Sequence, residues 1–105
     1  MNLIKVSATS RTAAVAGAIA GIVRENQWAE VQVIGAGAVN QAVKALILAT
    51  NYLRLDGIQV CFVPEFVDVT IEDKVRTAVK LTVEPVQAAI ISEAPGLPNQ
   101  VEMSG

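Results

Sequence analysis

A glycine turn between two apolar segments carries the residues best suited to contact a ligand. The turn, Gly35-Ala36-Gly37, follows a short β-branched run and precedes an apolar pattern with helical spacing. A strand, a Gly-x-Gly turn and a helix start together aim free backbone N–H groups and the positive end of a helix dipole at one place. Asn40, Gln41 and Lys44 follow within the next turns and supply two amides and one cation. The pattern therefore favours contact with an anion such as a phosphate.

Two phosphate-binding fingerprints are incomplete at this turn. The dinucleotide pattern Gly-x-Gly-x-x-Gly would require a third glycine where Asn40 stands. Asp56 lies at about the right distance but precedes the third predicted strand instead of ending it, so it is at the wrong end to meet a ribose. The Gly-Lys-Ser/Thr of a Walker loop is absent. Two interpretations stay open: an anion or nucleic-acid contact, and a tight turn that binds nothing.

Arg11 begins the first predicted helix and is expected to join this group. In a strand-helix-strand-helix fold, both helix starts open at the same edge of the sheet. Arg11 and Lys44 taken singly are also compatible with solvated surface charges. The predicted nucleic-acid-binding site consists of Arg11, Gly35, Gly37, Asn40, Gln41 and Lys44.

Other chemistry has little support in the composition. The chain has no histidine and one cysteine, which removes the commonest general base and the commonest metal ligands. We expect no metal, flavin or nicotinamide cofactor and no catalytic residue, and we interpret Asp68, Glu72 and Asp73 as a solvated hairpin. Cys61 stands in an apolar run and is expected to be a buried thiol. A single cysteine excludes an internal disulfide and fits a reducing cytosol.

The 105 residues suffice for one domain with a modest core. Hydrophobic residues make up 52% of the chain and charged residues 17%, so some apolar surface is expected to meet a partner. The net charge of −2 limits nucleic-acid binding to local patches. No apolar run approaches the roughly 20 residues needed to span a bilayer, and no signal peptide opens the chain, so we expect a cytoplasmic protein without membrane contact.

Hydrophobic periodicity predicts the order strand, helix, strand, helix, strand, strand. The strands are expected at residues 3–8, 31–34, 58–71 and 75–83, and the helices from a cap at Thr9 or Ser10 to about Asn26 and from about Ala38 to Leu53. Pro64 must bend the third strand or place it at an edge. This order implies an α/β chain of the α+β two-layer type, in which two helices cover one face of a four-stranded mixed sheet.

Each helix has a predicted core stripe and a second face of interest. The first is expected to bury Val15, Ile19, Ile22 and Val23, and to pack closely on a neighbour through Ala13, Gly17 and Gly21. The second is expected to bury Val39, Val43, Leu46, Thr50 and Leu53. Leu48 and Tyr52 then point away from the sheet, which predicts a homodimer or larger homo-oligomer.

The last strand alternates cleanly between two faces. Thr77, Val79, Leu81 and Val83 are expected on the covered face, and Arg76, Ala78, Lys80 and Thr82 on a wet face. Prolines and a glycine interrupt the remainder, so residues 1–86 are expected to form the domain and residues 87–105 a C-terminal extension.

Three segments resemble the stage V sporulation protein S family in order and spacing. They are "LIKVSATSRTAAVAGAIAG", "VQVIGAGAVNQAVKAL" and "RTAVKLTVEP", and the resemblance covers roughly residues 3–85. It implies a regulator of sporulation with a fold like that of Alba, the archaeal chromatin protein, and of the C-terminal domain of translation initiation factor three. It further implies a nucleic-acid-binding dimer. Alba uses its last hairpin as an arm for DNA, and the corresponding stretch here surrounds two acids and two bases: Glu72, Asp73, Lys74 and Arg76.

The sequence therefore predicts a non-enzymatic regulatory protein that binds DNA or RNA modestly, as a homo-oligomer, with little regard to base sequence. The alternative is a protein–protein interaction module, in which exposed apolar helix surface recruits a regulator and the glycine turn has no ligand.

Overall fold

The computed structural model describes residues 2–86, and Met1 and the predicted extension at residues 87–105 lie outside them. The elements are β1 (Leu3–Val6), α1 (Thr12–Asn26), β2 (Ala29–Val33), α2 (Ala36–Leu55), β3 (Val60–Ile71) and β4 (Lys74–Pro85). The predicted element order and the α+β two-layer class are confirmed. The chief differences in bounds are a shorter β1 and an α2 that begins within the glycine turn.

The sheet is mixed, with the strand order β1-β2-β4-β3. β1 runs parallel to β2, and β4 is antiparallel to both β2 and β3. β3 is therefore an edge strand, as Pro64 predicted, because a proline has no N–H to donate to a second neighbour.

One face of the sheet is covered by the helices. Along β2, the buried Ala29, Val31 and Val33 alternate with the half-buried Glu30 and Gln32. In register, the covered face continues through Val83, Leu81 and Val79 of β4, which confirms the predicted alternation for these residues. Thr77, predicted on the same face, is exposed. On the opposite face Ala78 is only 1% exposed, so the predicted wet face is partly closed. Its short side chain is sheltered by longer neighbours on both strands, among them its register partner Val67.

The two helices pack directly on each other. Small side chains make this possible, since they let helix backbones approach closely. The buried small residues are Ala16 and Ala20 of α1 and Ala38, Ala42, Ala45 and Ala49 of α2. The predicted close-packing face of Ala13, Gly17 and Gly21 is wrong: a side chain added at either glycine would meet nothing within 4 Å. The sequence contains two small-residue stripes on α1, and the one with Ile19 and Val23 is the buried one.

The predicted stripe of α2 is wrong in part. Leu46 and Leu53 are buried, but Val43 is 46% exposed and Val39 and Thr50 are half-buried. The alanines define the buried face, so the helix is turned relative to the stripe of large residues. Leu48 and Tyr52 are consequently half-buried against the core and do not point away from it. The exposed apolar side chains of mid-α2 are Val43 and Ile47. Cys61, expected in the core, is half-buried.

The β3–β4 hairpin projects beyond the rest of the sheet. β2 pairs with β4 only between Val79 and Val83, so β4 continues for a further five residues, roughly 17 Å, past the end of β2. We call residues 67–78 the arm. Glu72 and Asp73 both have positive φ, 50° and 65°, as a two-residue type I′ hairpin turn requires.

Candidate nucleic-acid interface

Three segments meet at the edge where β1 and β2 end, which we call the carboxyl edge. They are the β1–α1 connection at residues 7–11, the glycine turn at residues 34–37, and the arm. Both helix N-termini open at this edge, because each helix follows directly on one of two parallel strands. The predicted convergence of the two helix starts is confirmed.

The β1–α1 connection is held by its own hydroxyl groups. The Ser7 hydroxyl is hydrogen-bonded to those of Thr9 and Ser10 at 3.1 and 3.2 Å, and the Ser7 N–H donates to Ser10 Oγ at 2.9 Å. The predicted cap at Thr9 or Ser10 is wrong, because these hydroxyl groups are used within the turn. Arg11 stands at the cap position and makes no side-chain hydrogen bond there. The first N–H groups of α1 therefore lack a side-chain acceptor.

The glycine turn leads directly into α2. Gly35 stands at the cap position with φ of 92°, a conformation that side chains rarely adopt, and no side chain caps the helix. Gly37 serves a different purpose, since a Cβ there would lie 2.9 Å from the Cβ of Ala8. The glycine thus lets the start of α2 touch the β1–α1 connection. The two glycines bring two uncapped helix starts together.

Replacing Gly37 with valine is expected to lower the free energy of unfolding by about 2 kcal/mol, because the new side chain overlaps Ala8. Urea denaturation followed by circular dichroism measures this change. Gly17→Ala is the matched control: its Cβ meets nothing within 4 Å, so it should stabilise the helix by up to about 1 kcal/mol. Equal stability of Gly37→Val and the wild type would show that the two segments do not touch.

Gln41 ties the two helix starts together. Its Nε2 donates to the backbone oxygen of Ser10 at 2.7 Å and approaches the Thr12 hydroxyl at 3.4 Å. The amide nitrogen that was predicted to meet a ligand is thus engaged inside the protein. Gln41 positions the site and leaves its Asn40 and Lys44 neighbours to face solvent.

Arg11, Asn40 and Lys44 are exposed, as are Gly35 and Gly37. Asn40 and Lys44 are one helical turn apart and project from the same side of α2. The predicted site residues therefore lie together at the carboxyl edge, with Gln41 as their internal support.

The unpaired cations are concentrated at this edge. Within residues 2–86 the ion pairs are Arg24 with Asp56, and Lys80 with Glu65 at 3.3 Å. The other cations of this part of the chain are exposed and have no acid within 4.0 Å: Lys5, Arg11, Lys44, Arg54, Lys74 and Arg76. All of these except Arg54 lie at or near the carboxyl edge or on the arm. Asp68, Glu72 and Asp73 are also on the arm and outnumber its two cations, Lys74 and Arg76.

Lys5 was not among the predicted site residues. It lies one residue before the end of β1 and pairs in register with Gln32 on the face of the sheet opposite the helices. The alternation of "LIKV" does indicate the position of Lys5, because it places Lys5 on the other face of the strand from Ile4 and Val6. Only the three-dimensional structure brings this face to the arm, since Lys5, Val69 and Ile71 line one cleft.

The fold and the carboxyl edge together define a small two-layer α+β protein with exposed cationic side chains near the N-termini of its helices. A family model described as Stage V sporulation protein S (SpoVS) matches residues 2–86. The chain belongs to this family, and membership supports a sporulation regulatory protein. The family resemblance found in the sequence is thereby confirmed. As for membranes, neither helix within residues 2–86 combines the length and apolar character that a bilayer crossing requires.

Proposed function

We propose that the protein is a non-enzymatic cytoplasmic regulator that binds DNA or RNA through its carboxyl edge, modestly and with little regard to base sequence. The concentration of unpaired cations beside two uncapped helix starts carries this proposal. Backbone N–H groups and cations recognise phosphates, which every nucleic acid presents in the same way.

The strength of binding follows from the number of cations. Arg11 and Lys44 supply two positive charges per subunit at the glycine turn. In a dimer this gives a log-log salt slope of roughly −2 to −4, at about 0.9 per neutralised phosphate. Residues 2–86 are formally neutral, because the excess acids Glu93 and Glu102 lie beyond them. Binding therefore depends on where charge is placed and not on net charge.

The double substitution Arg11→Ala with Lys44→Ala is expected to weaken binding equally for every sequence tested, and to flatten the salt slope by about one unit per lost contact. Fluorescence anisotropy measures both effects, with labelled duplex DNA, single-stranded DNA and RNA as probes. The titrations run from about 50 to about 200 mM salt. Arg54→Ala is the matched control, since Arg54 lies at the far end of α2 and has no acid within 4.0 Å among residues 2–86.

Two results would change the assignment. If the wild type binds none of the three probes at the lowest salt, the nucleic-acid proposal is wrong and the glycine turn is structural. If binding persists but ignores the double substitution, Lys74→Ala with Arg76→Ala tests the arm as the contact instead.

A homo-oligomer is the second part of the proposal, and exposed apolar side chains support it. Phe66 of β3 is 79% exposed, and Phe62 four residues earlier is also exposed on the helix side of the sheet. The helices pack over β1, β2 and β4, so within residues 2–86 no comparable helix packing covers this end of the sheet. Aromatic side chains are enriched in protein interfaces because they bury large areas at low entropic cost. A second copy of the chain is the partner that we assign to this surface.

The protein-interaction module remains the second candidate function, because Val43 and Ile47 are exposed on α2. It predicts an oligomer or a bound regulator without any nucleic-acid affinity. The anisotropy titration separates the two functions.

A further inference from the structure

A cleft of about 550 Å³ lies on the face of the sheet opposite the helices, between β1 and the arm. Leu3 and Ile34 line it on the side of the parallel strands, and Val69 and Ile71 line it on the side of the arm. Its volume falls in the range of about 300–1,000 Å³ that is usual for small-molecule sites. The cleft therefore has room for one flat organic group between two aliphatic walls.

The polar groups of the cleft are few and suit a nucleotide. Gln32 projects from this face of β2 and lines the cleft, and its amide can donate and accept hydrogen bonds, as the edge of a base requires. Lys5 is the titratable residue of the lining, and it has no acid within 4.0 Å in the described chain. Glu30 lies on the same face but forms no ion pair with it.

Further positive charge adjoins the cleft. Directly opposite residues of an antiparallel pair present their side chains on the same face. Arg76 is the register partner of Val69, and Lys74 is the register partner of Ile71. Both are exposed and lack an acidic partner among residues 2–86. Lys5 thus lies in the cleft itself, and two arm cations lie beside its Val69 and Ile71 wall.

The cleft is continuous with the proposed phosphate contact. Ala8 lines the cleft and is also the residue that the start of α2 approaches at Gly37. A backbone held at the glycine turn would therefore pass the mouth of the cleft. A base within a duplex cannot enter, because both of its faces are stacked on neighbours and its edge is paired.

We propose that this cleft accepts one unpaired base of a single-stranded nucleic acid, with the adjoining phosphate against Lys5; this inference rests on the proposed nucleic-acid binding. The protein then prefers single strands, loops or ends over duplex. The aliphatic walls cover the faces of the base, and the Gln32 amide meets its edge.

Anisotropy with a single-stranded oligonucleotide and with its duplex form tests the preference. The wild type should bind the single strand at least about tenfold more tightly, equivalent to 1.4 kcal/mol. Val69→Trp fills the cleft and should abolish this difference while leaving duplex binding unchanged. Val63→Trp is the matched control: Val63 lies on the same strand and the same face, and it is exposed outside the cleft. The Val63→Trp variant should still prefer the single strand over the duplex.

A titration with a nucleoside monophosphate, followed by ¹H–¹⁵N NMR, tests the cleft without a polymer. The amide signals of Lys5, Gln32 and Val69 should shift saturably, and Lys5→Met should weaken the binding at least about threefold. Equal affinity for single strand and duplex, or a preference that survives Val69→Trp, overturns the cleft proposal and leaves the phosphate contact standing. If neither the single strand nor the duplex binds, the proposed function is wrong. If the nucleoside monophosphate then also causes no shift of the amide signals, the cleft proposal is wrong as well.

Discussion

Replacing Ala42 with leucine is expected to lower the free energy of unfolding by about 3 kcal/mol. Ala42 has no exposed surface and stands in the middle of the alanine face of α2, where α1 and α2 pack directly on each other. Protein interiors are packed as densely as organic crystals, so three added carbons have no space to enter. The helices must separate or the leucine must adopt a strained rotamer. Leucine is nearly as good a helix former as alanine, so the loss comes from packing.

Urea denaturation measures this change, with the slope m unaltered if the unfolded state is unaffected. Ala18→Leu is the matched control, because Ala18 is exposed on α1, and its effect should stay within about 0.5 kcal/mol. A loss of less than about 1 kcal/mol in Ala42→Leu would mean that the helices are not in close contact there.

The substitution Phe66→Glu is expected to raise the dissociation constant of the homo-oligomer at least about a hundredfold, which is 2.7 kcal/mol. The charged side chain would be buried without a partner in the interface, whereas in the isolated subunit it stays in water because position 66 is 79% exposed. Light scattering coupled to gel filtration at micromolar concentration measures the mass. The melting temperature of the isolated subunit should change little.

Two further variants locate the interface. Ile47→Glu tests α2, where the side chain is 57% exposed, and Leu55→Glu is the control at the end of that helix. If Ile47→Glu dissociates the assembly and Phe66→Glu does not, the interface lies on α2. A wild type that is a monomer at micromolar concentration contradicts the proposed assembly altogether.

The fold class could be predicted because its signals are local. The β-branched runs, the helical periodicity and the clean alternation of the last strand each depend on neighbouring residues. The order of these elements then left few topologies with short, right-handed connections. Pro64 predicted an edge strand for the same local reason, since it lacks an N–H.

The wrong predictions concern helix faces and a helix cap for which the local sequence offers two equally good alternatives. Tertiary packing decides between these alternatives. On α1 the two small-residue stripes are alike in sequence, and only contact with α2 selects Ala16 and Ala20 for burial. On α2 the large residues suggested one stripe, but a close helix pair prefers the alanines, so Val43 is turned to solvent. Ser10 was a plausible cap and instead bonds within its own turn.

The candidate site was predictable as a group of residues but not as an arrangement. Gly35, Asn40 and Lys44 follow from the strand-turn-helix pattern. The role of Gln41 as a tie to Ser10 depends on a contact between distant segments, and so does the closeness of Gly37 to Ala8. Lys5 of β1 meets the arm only because the folded sheet brings it to one cleft with Val69 and Ile71. Such relations have no local signal.

The central position of β2 sets the order in which the chain is expected to fold. β1, α1 and β2 form a unit of near neighbours along the chain, and β3 with β4 forms a hairpin across a two-residue turn. The pairing of β2 with β4, such as Val33 with Val79, joins these units across all of α2 and β3. Closing so long a loop is entropically costly and slow compared with local contacts. The same closure brings the arm to the carboxyl edge, so we expect the cleft between β1 and the arm to form only once β2 and β4 have paired.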